Sequence, residues 1–126
     1  MALLWILRIA LYVQLLLGLA KYFGPSVGID LNQRIWEIHI SLGILIALLA
    51  LYALRPISKV RYTTTRAAAR FAPLFPLVLG LGFEFHLIPT GRVVIIHMVL
   101  GVLTIGLVEM AAARQKRLLA SRFNFK

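Results

Sequence analysis

Residues 34–54 read RIWEIHISLGILIALLALYAL, a stretch in which apolar side chains run almost without interruption behind one arginine. At about 1.5 Å of rise per residue, a helix of this length crosses the roughly 30 Å hydrocarbon core of a bilayer. A strand of a membrane barrel would instead alternate apolar and polar residues over about 10 positions. The stretch therefore predicts a transmembrane helix.

Three other stretches have the same character, and they decide the fold class. We predict membrane helices over residues 2–23, 35–54, 67–87 and 93–113, followed by a basic tail over residues 114–126. The 126-residue chain is 61% hydrophobic and 14% charged, whereas soluble domains are about 45–50% apolar and about 25% charged. This composition argues against a water-soluble enzyme and predicts an all-α membrane protein, a single domain of four transmembrane helices in an up-down bundle.

The basic residues flank the apolar runs and give an orientation. Eleven of the fourteen lie on one side of the predicted spans, at position 8 and within residues 55–70 and 114–126, and the other three are Lys21, Arg34 and Arg92. The positive-inside rule then places both termini in the cytoplasm, and we expect the inner membrane of a bacterium. Orientation accounts for the net charge of +10, so the lipid bilayer is the expected partner and nucleic acid is not.

An internal match joins two of the predicted helices. Residues 34–43, RIWEIHISLG, align without gaps on residues 92–101, RVVIIHMVLG, and share the pattern R-[IV]-x-x-I-H-x-x-L-G. The preceding helices also match, with residues 15–23 (LLLGLAKYF) against residues 77–85 (LVLGLGFEF). The sequence therefore predicts two parallel copies of a two-helix repeat, related by an axis along the membrane normal.

The repeat places two histidines at one depth. His39 and His97 each follow their arginine by five residues, which puts both roughly 7–8 Å below the outer boundary. Helices two and four are diagonal neighbours in such a bundle, with axes roughly 11–14 Å apart. That gap accommodates two imidazoles with a flat iron macrocycle between them, and the absence of cysteine excludes iron–sulfur clusters and covalent haem attachment.

The residues around the histidines favour haem b, bound non-covalently, with His39 and His97 as the metal ligands. Gly43 and Gly101 lie at i+4 from the histidines, on the same helix face, where a side chain would collide with a porphyrin. Arg34 and Arg92 are placed at the rim, where guanidinium groups reach carboxylates such as haem propionates. We predict that these six residues bind the cofactor.

Two H-x-x-L-G helices in a four-helix unit resemble the small membrane cytochromes b of the b561 type and one half of haem A synthase. The resemblance implies that His39 and His97 are axial ligands. The predicted function is membrane electron transfer through one bis-His haem near the outer face, with quinol or a larger membrane complex as the partner. No nucleophile with a neighbouring base is visible, so an electron carrier or oxidoreductase subunit is favoured over a stand-alone enzyme.

Alternatives remain open at this stage. The chain also suits an accessory or assembly subunit of a respiratory or photosynthetic complex, because glycine-containing faces pack against foreign helices. In that case the histidines are structural or ligate a chlorin pigment. His86 has either an interfacial role or a role in a proton or quinone site. We expect Gln14 to bridge helices and Glu84 to pair with Arg34 or Arg92.

Overall fold

The computed structural model describes residues 2–57 and 62–123. Its elements are α1 (Ala2–Phe23), a 3₁₀ turn (Gly24–Val27), α2 (Gln33–Ala53), α3 (Thr64–Phe71), α4 (Leu74–Glu84) and α5 (Val93–Phe123). Three residues of the charge count, Lys59, Arg61 and Lys126, lie outside the described residues. The rest of the chain is dominated by helix.

Four helical segments are long and apolar enough to cross a membrane, namely Ala2–Val27, Gln33–Ala53, Thr64–Glu84 and Val93–Leu118. The helical class and the four apolar helices agree with the sequence prediction and are consistent with an integral membrane protein. The last helix runs to Phe123, ten residues past the predicted end at Ala113. Residues 114–120 read RQKRLLA and contain only good helix formers, so nothing in the sequence stops the helix there.

The third span is interrupted near its middle by proline. Helix α3 ends at Phe71 and α4 begins at Leu74, with Pro73 at the N-cap of α4. Pro76 occupies the first turn of α4, where its missing N–H would have no intrahelical partner in any case. Helices α3 and α4 therefore together form one candidate span, Thr64–Glu84. Both prolines line the central cavity described below.

A buried arginine holds the end of α2. Arg66 is only 3% exposed, and its guanidinium donates to the carbonyl groups of Leu54 at 3.2 Å, Ala53 at 3.1 Å and Arg55 at 3.4 Å. It also donates to Oε1 of Gln115 at 2.6 Å, on α5. The last carbonyls of a helix have no intrahelical donors. The Arg66 guanidinium supplies donors at the end of α2, and in doing so it links α2 to α3 and α5.

The hydrophobic core lies toward the start of α1 and the end of α2. Helix α1 contacts α2 and α5, and the third span contacts the same two helices. The buried cluster consists of Leu7, Leu11, Ile46, Ala50, Leu54, Ala69, Val108 and Ala111. Large apolar side chains on the outside of the helices remain exposed, as expected for a surface that faces lipid, including Leu16, Leu45, Val78 and Val102.

Candidate functional site

A cavity of about 390 Å³ lies among all four spans and borders the hydrophobic core, because Leu11 and Ile46 of the core also line it. Ligand-binding pockets commonly measure about 300–1,000 Å³ and are mostly apolar with a few polar groups. Here the polar lining includes Gln14, Lys21, His39 and His97, and the described residues of its wall include neither Asp nor Glu. The cavity therefore has the size and the composition of a binding site for a largely apolar ligand.

The two histidines of the repeat meet at this cavity. The ring centroids of His39 and His97 are 6.4 Å apart, and the ring planes are inclined by 57°. His39 is 7% exposed. The Nδ1 atoms of both rings are buried without a hydrogen-bond partner in the described part of the chain. Buried polar atoms are satisfied in the large majority of cases, so this pair indicates a missing partner.

Glycines of the preceding helices hold the two rings in the same way. A Cβ atom at Gly18 would lie 3.2 Å from Cε1 of His39, and a Cβ atom at Gly80 would lie 3.2 Å from Cε1 of His97. Such contacts are tighter than those real Cβ atoms usually make. Glycine at both positions thus lets each imidazole lie directly against a neighbouring helix backbone. The two positions are the ones that align in the sequence match.

Gln14 is the polar neighbour of His39. Its Nε2 donates to the His39 carbonyl at 2.9 Å and lies 3.3 Å from the ring Nε2. The side chain therefore bridges α1 and α2, as its sequence position predicts. Its Oε1 is buried without a partner among the described residues, which makes a third unsatisfied polar atom beside the two imidazole Nδ1 atoms.

Aromatic rings pack against both histidines. Trp36 stacks on His39 with centroids 5.1 Å apart and planes 11° from parallel, and Phe83 contacts His97 edge-on at 5.8 Å. Nε1 of Trp36 donates to Oε2 of Glu84 at 2.9 Å. Glu84 thus has an indole partner in place of the arginine partner expected from sequence.

The predicted glycines line the cavity, whereas the predicted arginines do not. Gly43 and Gly101 both contribute to the wall, and a Cβ atom at Gly101 would meet no other atom within 4 Å. Arg34 and Arg92 are exposed and outside the cavity lining. Their positions some 140° around the helix from the histidines explain this, because neither side chain points towards the space that the imidazoles share.

The cation of the cavity wall is Lys21, which sequence reasoning missed. It is half-buried, lines the cavity and donates from Nζ to the Leu31 carbonyl at 3.3 Å. The sequence match contained the signal, because Lys21 aligns with Phe83, and both follow their glycine by three residues. Residues three apart on a helix share a face, so a residue at this position lies beside the histidine that the glycine contacts.

The other polar candidates have structural surroundings. His86 is exposed with φ of 56°, and the N–H groups of His86 and Leu87 bond the carbonyls of Phe83 and Gly82. This is the pattern of a Schellman helix end, where the residue after the cap adopts the left-handed conformation. Arg8 and Glu109, which do not line this cavity, form an ion pair of 2.7 Å between α1 and α5.

The donor set limits what can bind. In the part of the chain that the structure describes, no group of three or more His, Cys, Asp or Glu side chains is placed to hold a metal ion. His39 and His97 provide two imidazoles and no more, which is too few for a metal site built from side chains alone.

Comparison with known protein families, curated proteins and solved structures finds no match for this chain.

Proposed function

We propose that this chain is a membrane electron-transfer protein that binds one b-type haem between His39 and His97. The observation that carries the proposal is the 6.4 Å separation of the two ring centroids across a mainly apolar cavity. When a metal ion binds one nitrogen of each of two imidazoles at about 2.0–2.1 Å, the ring centroids lie roughly 6–6.5 Å apart. A macrocycle brings its own four nitrogen donors, so two imidazoles complete the set.

The surroundings of the two rings indicate which imidazole nitrogens would hold the haem iron. Metal-bound histidines usually donate their second ring N–H to a carbonyl or carboxylate. Nδ1 of His39 and Nδ1 of His97 are both buried, and neither has such a partner among the described residues. In this proposal the buried Nδ1 atoms face away from the ligand, and Nε2 of each imidazole would bind the metal.

The chain's own residues have distinct tasks in this proposal. The haem supplies one-electron chemistry when it is bound. The Gln14 amide must leave Nε2 of His39, because it occupies that nitrogen at 3.3 Å. Trp36 and Phe83 cover the imidazoles and exclude water. Lys21 provides the positive charge in the wall, where it suits an acidic group of the ligand.

The topology that we propose is an up-down bundle made of two parallel copies of a helix pair. The matched contacts Gly18–His39 and Gly80–His97 support it, because each pairs the first helix of a copy with the second. With both termini in the cytoplasm, the haem lies in the outer half of the bilayer. Its partners are then quinol or other membrane subunits on that side.

The orientation has a direct test, since the chain contains no cysteine. Ser26→Cys places a thiol in the exposed turn after α1, and Arg117→Cys places one on the exposed end of α5. A membrane-impermeant maleimide should label the first variant in intact cells and the second only after permeabilisation. The reverse result would overturn the orientation without affecting the cofactor.

The haem is tested by reconstitution and spectroscopy. Purified protein titrated with haem should bind one equivalent, and reduction with dithionite should give the sharp α-band of a six-coordinate b haem. His39→Ala and His97→Ala should each lose that band, whereas the matched control His86→Ala should keep it. The proposal fails if both ligand variants keep the wild-type spectrum. Chlorin absorption, or isolation with a large complex and without haem, would favour the accessory-subunit alternative.

A further inference from the structure

A second groove lies on the outside of the bundle, between the third span and α5. Its volume is about 480 Å³, and its walls include Thr64, Ala68 and Phe71 on α3 and Leu103 and Leu107 on α5. Phe71 and Leu103 are 46% and 56% exposed. Both walls belong to segments suited to span a membrane, so the groove opens towards lipid.

The length of the groove corresponds to one leaflet. Its wall on the third span extends from Thr64 to Phe75, and eleven residues of helix rise roughly 16 Å. The hydrocarbon core of a bilayer is about 30 Å thick. The groove therefore has the reach of a single acyl chain that belongs to one leaflet.

Positive charge lies at one end of this groove. Arg114 donates from Nη1 to the hydroxyl of Thr65, next to Thr64 of the groove wall. Lys116 and Arg117 follow on the exposed end of the same helix. The chain has four Asp and Glu residues. Glu109 is paired with Arg8, and the other three lie around the opposite ends of the helices, at Asp30, Glu37 and Glu84.

We propose that the groove binds one anionic phospholipid, with an acyl chain along α3 and α5 and its phosphate at Arg114. The exposed guanidinium gives charge-assisted hydrogen bonds to phosphate oxygens. Basic sites between membrane helices bind anionic headgroups in this manner. A zwitterionic lipid fills the same groove but brings no net charge to Arg114. Free phosphate meets the arginine but lacks the acyl chain.

The test uses the purified full chain in mild detergent, with phosphatidylglycerol or phosphatidylcholine of identical acyl chains. Native mass spectrometry should show one retained phosphatidylglycerol, at least fivefold more than phosphatidylcholine on the scale of a charge-assisted contact. Thermal unfolding should shift upward with phosphatidylglycerol, and inorganic phosphate alone should give no shift. Equal retention of the two lipids, or the full shift with phosphate alone, would overturn the proposal.

Two variants test the two halves of the site. Arg114→Gln removes the charge and should lower the retention of phosphatidylglycerol to that of phosphatidylcholine. Ala68→Phe fills the groove, leaves the charge in place and should lower the retention of both lipids. Arg34→Gln is the matched control, because it removes an exposed arginine at the start of α2. If Arg34→Gln lowers retention as much as Arg114→Gln, the groove has no special role.

Discussion

The indole of Trp36 and the carboxylate of Glu84 are joined by a hydrogen bond of 2.9 Å between Nε1 and Oε2. The bond connects α2 with the last residue of α4, and the same indole lies flat on the His39 ring. Trp36 aligns with Val94 and Glu84 aligns with Tyr22 in the sequence match, and this equivalent pair cannot form such a bond because valine has no donor. This contact therefore fixes the orientation of one histidine only.

Removal of the indole N–H tests that contact. Trp36→Phe keeps an aromatic ring over His39 but leaves the partly buried carboxylate of Glu84 without its donor. We expect the free energy of unfolding to fall by about 1–3 kcal/mol, the usual cost of a lost hydrogen bond to a charged group. Denaturation in detergent, followed by circular dichroism, measures the change.

The matched control for this bond is Glu84→Gln, which keeps an acceptor oxygen and removes the charge. Its loss should be smaller than that of Trp36→Phe. In the double variant, the two losses should not add, because Trp36→Phe removes the bond that Glu84→Gln only weakens. Strict additivity would show that the bond contributes nothing to stability.

Alanine substitutions at three glycines should have different effects on the cavity. Gly18→Ala brings a methyl group to 3.2 Å from the His39 ring and should displace it. Gly101→Ala and Gly106→Ala meet no atom within 4 Å, and each should stabilise α5 by about 0.5–1 kcal/mol. Gly101 lines the cavity and Gly106 does not. Gly101→Ala should therefore weaken haem binding in a titration, and Gly106→Ala should leave it unchanged.

An equal affinity for haem in Gly101→Ala and Gly106→Ala would show that the ligand does not approach Gly101. A stable Gly18→Ala variant with wild-type haem affinity would contradict the proposed packing of the His39 ring against Gly18. The two results are independent, because one concerns the space for the ligand and the other the position of a ring.

Much of the fold was predictable because hydrocarbon thickness sets helix length. The four apolar runs predicted the four helices that are long and apolar enough to span a membrane. The extension of α5 was missed, because the end of apolar character is not the end of a helix. Residues 114–120 leave the apolar run yet retain high helix propensity.

The site was predictable only where symmetry pointed at it. The repeated H-x-x-L-G pattern led to His39, His97 and the two glycines that line the cavity with them. Lys21 and Trp36 align with residues of a different type in the other copy, so the repeated pattern did not indicate them. Arg34 and Arg92 match but lie outside the cavity lining, because a shared sequence position does not specify which way a side chain faces.

Arg66 provides a test of the packing at the other end of the bundle. Its guanidinium reaches three carbonyls of the α2 terminus and Gln115 from a site that is 3% exposed. Arg66→Lys keeps the charge but lacks the planar fork of donors. We expect a loss of about 2–4 kcal/mol in unfolding free energy, since several buried acceptors lose their partners. Arg117→Lys, on the exposed end of α5, should change stability by less than about 0.5 kcal/mol.

Substitution of Lys21 and of Arg92 tests which of these two cations contacts an acidic group of a ligand in the cavity. Lys21 lines the same cavity as the two histidines, whereas Arg92 is exposed and outside the lining. If the ligand carries an acidic group, Lys21→Gln removes a charge-assisted contact and should weaken haem binding by roughly 5–20-fold, while Arg92→Gln should change it by less than about twofold. Haem titration of both variants, followed by absorbance, makes the comparison. Lys21→Arg keeps the charge and should restore most of the affinity. A larger loss of haem affinity in Arg92→Gln than in Lys21→Gln would support the sequence prediction that Arg92 contacts the acidic group.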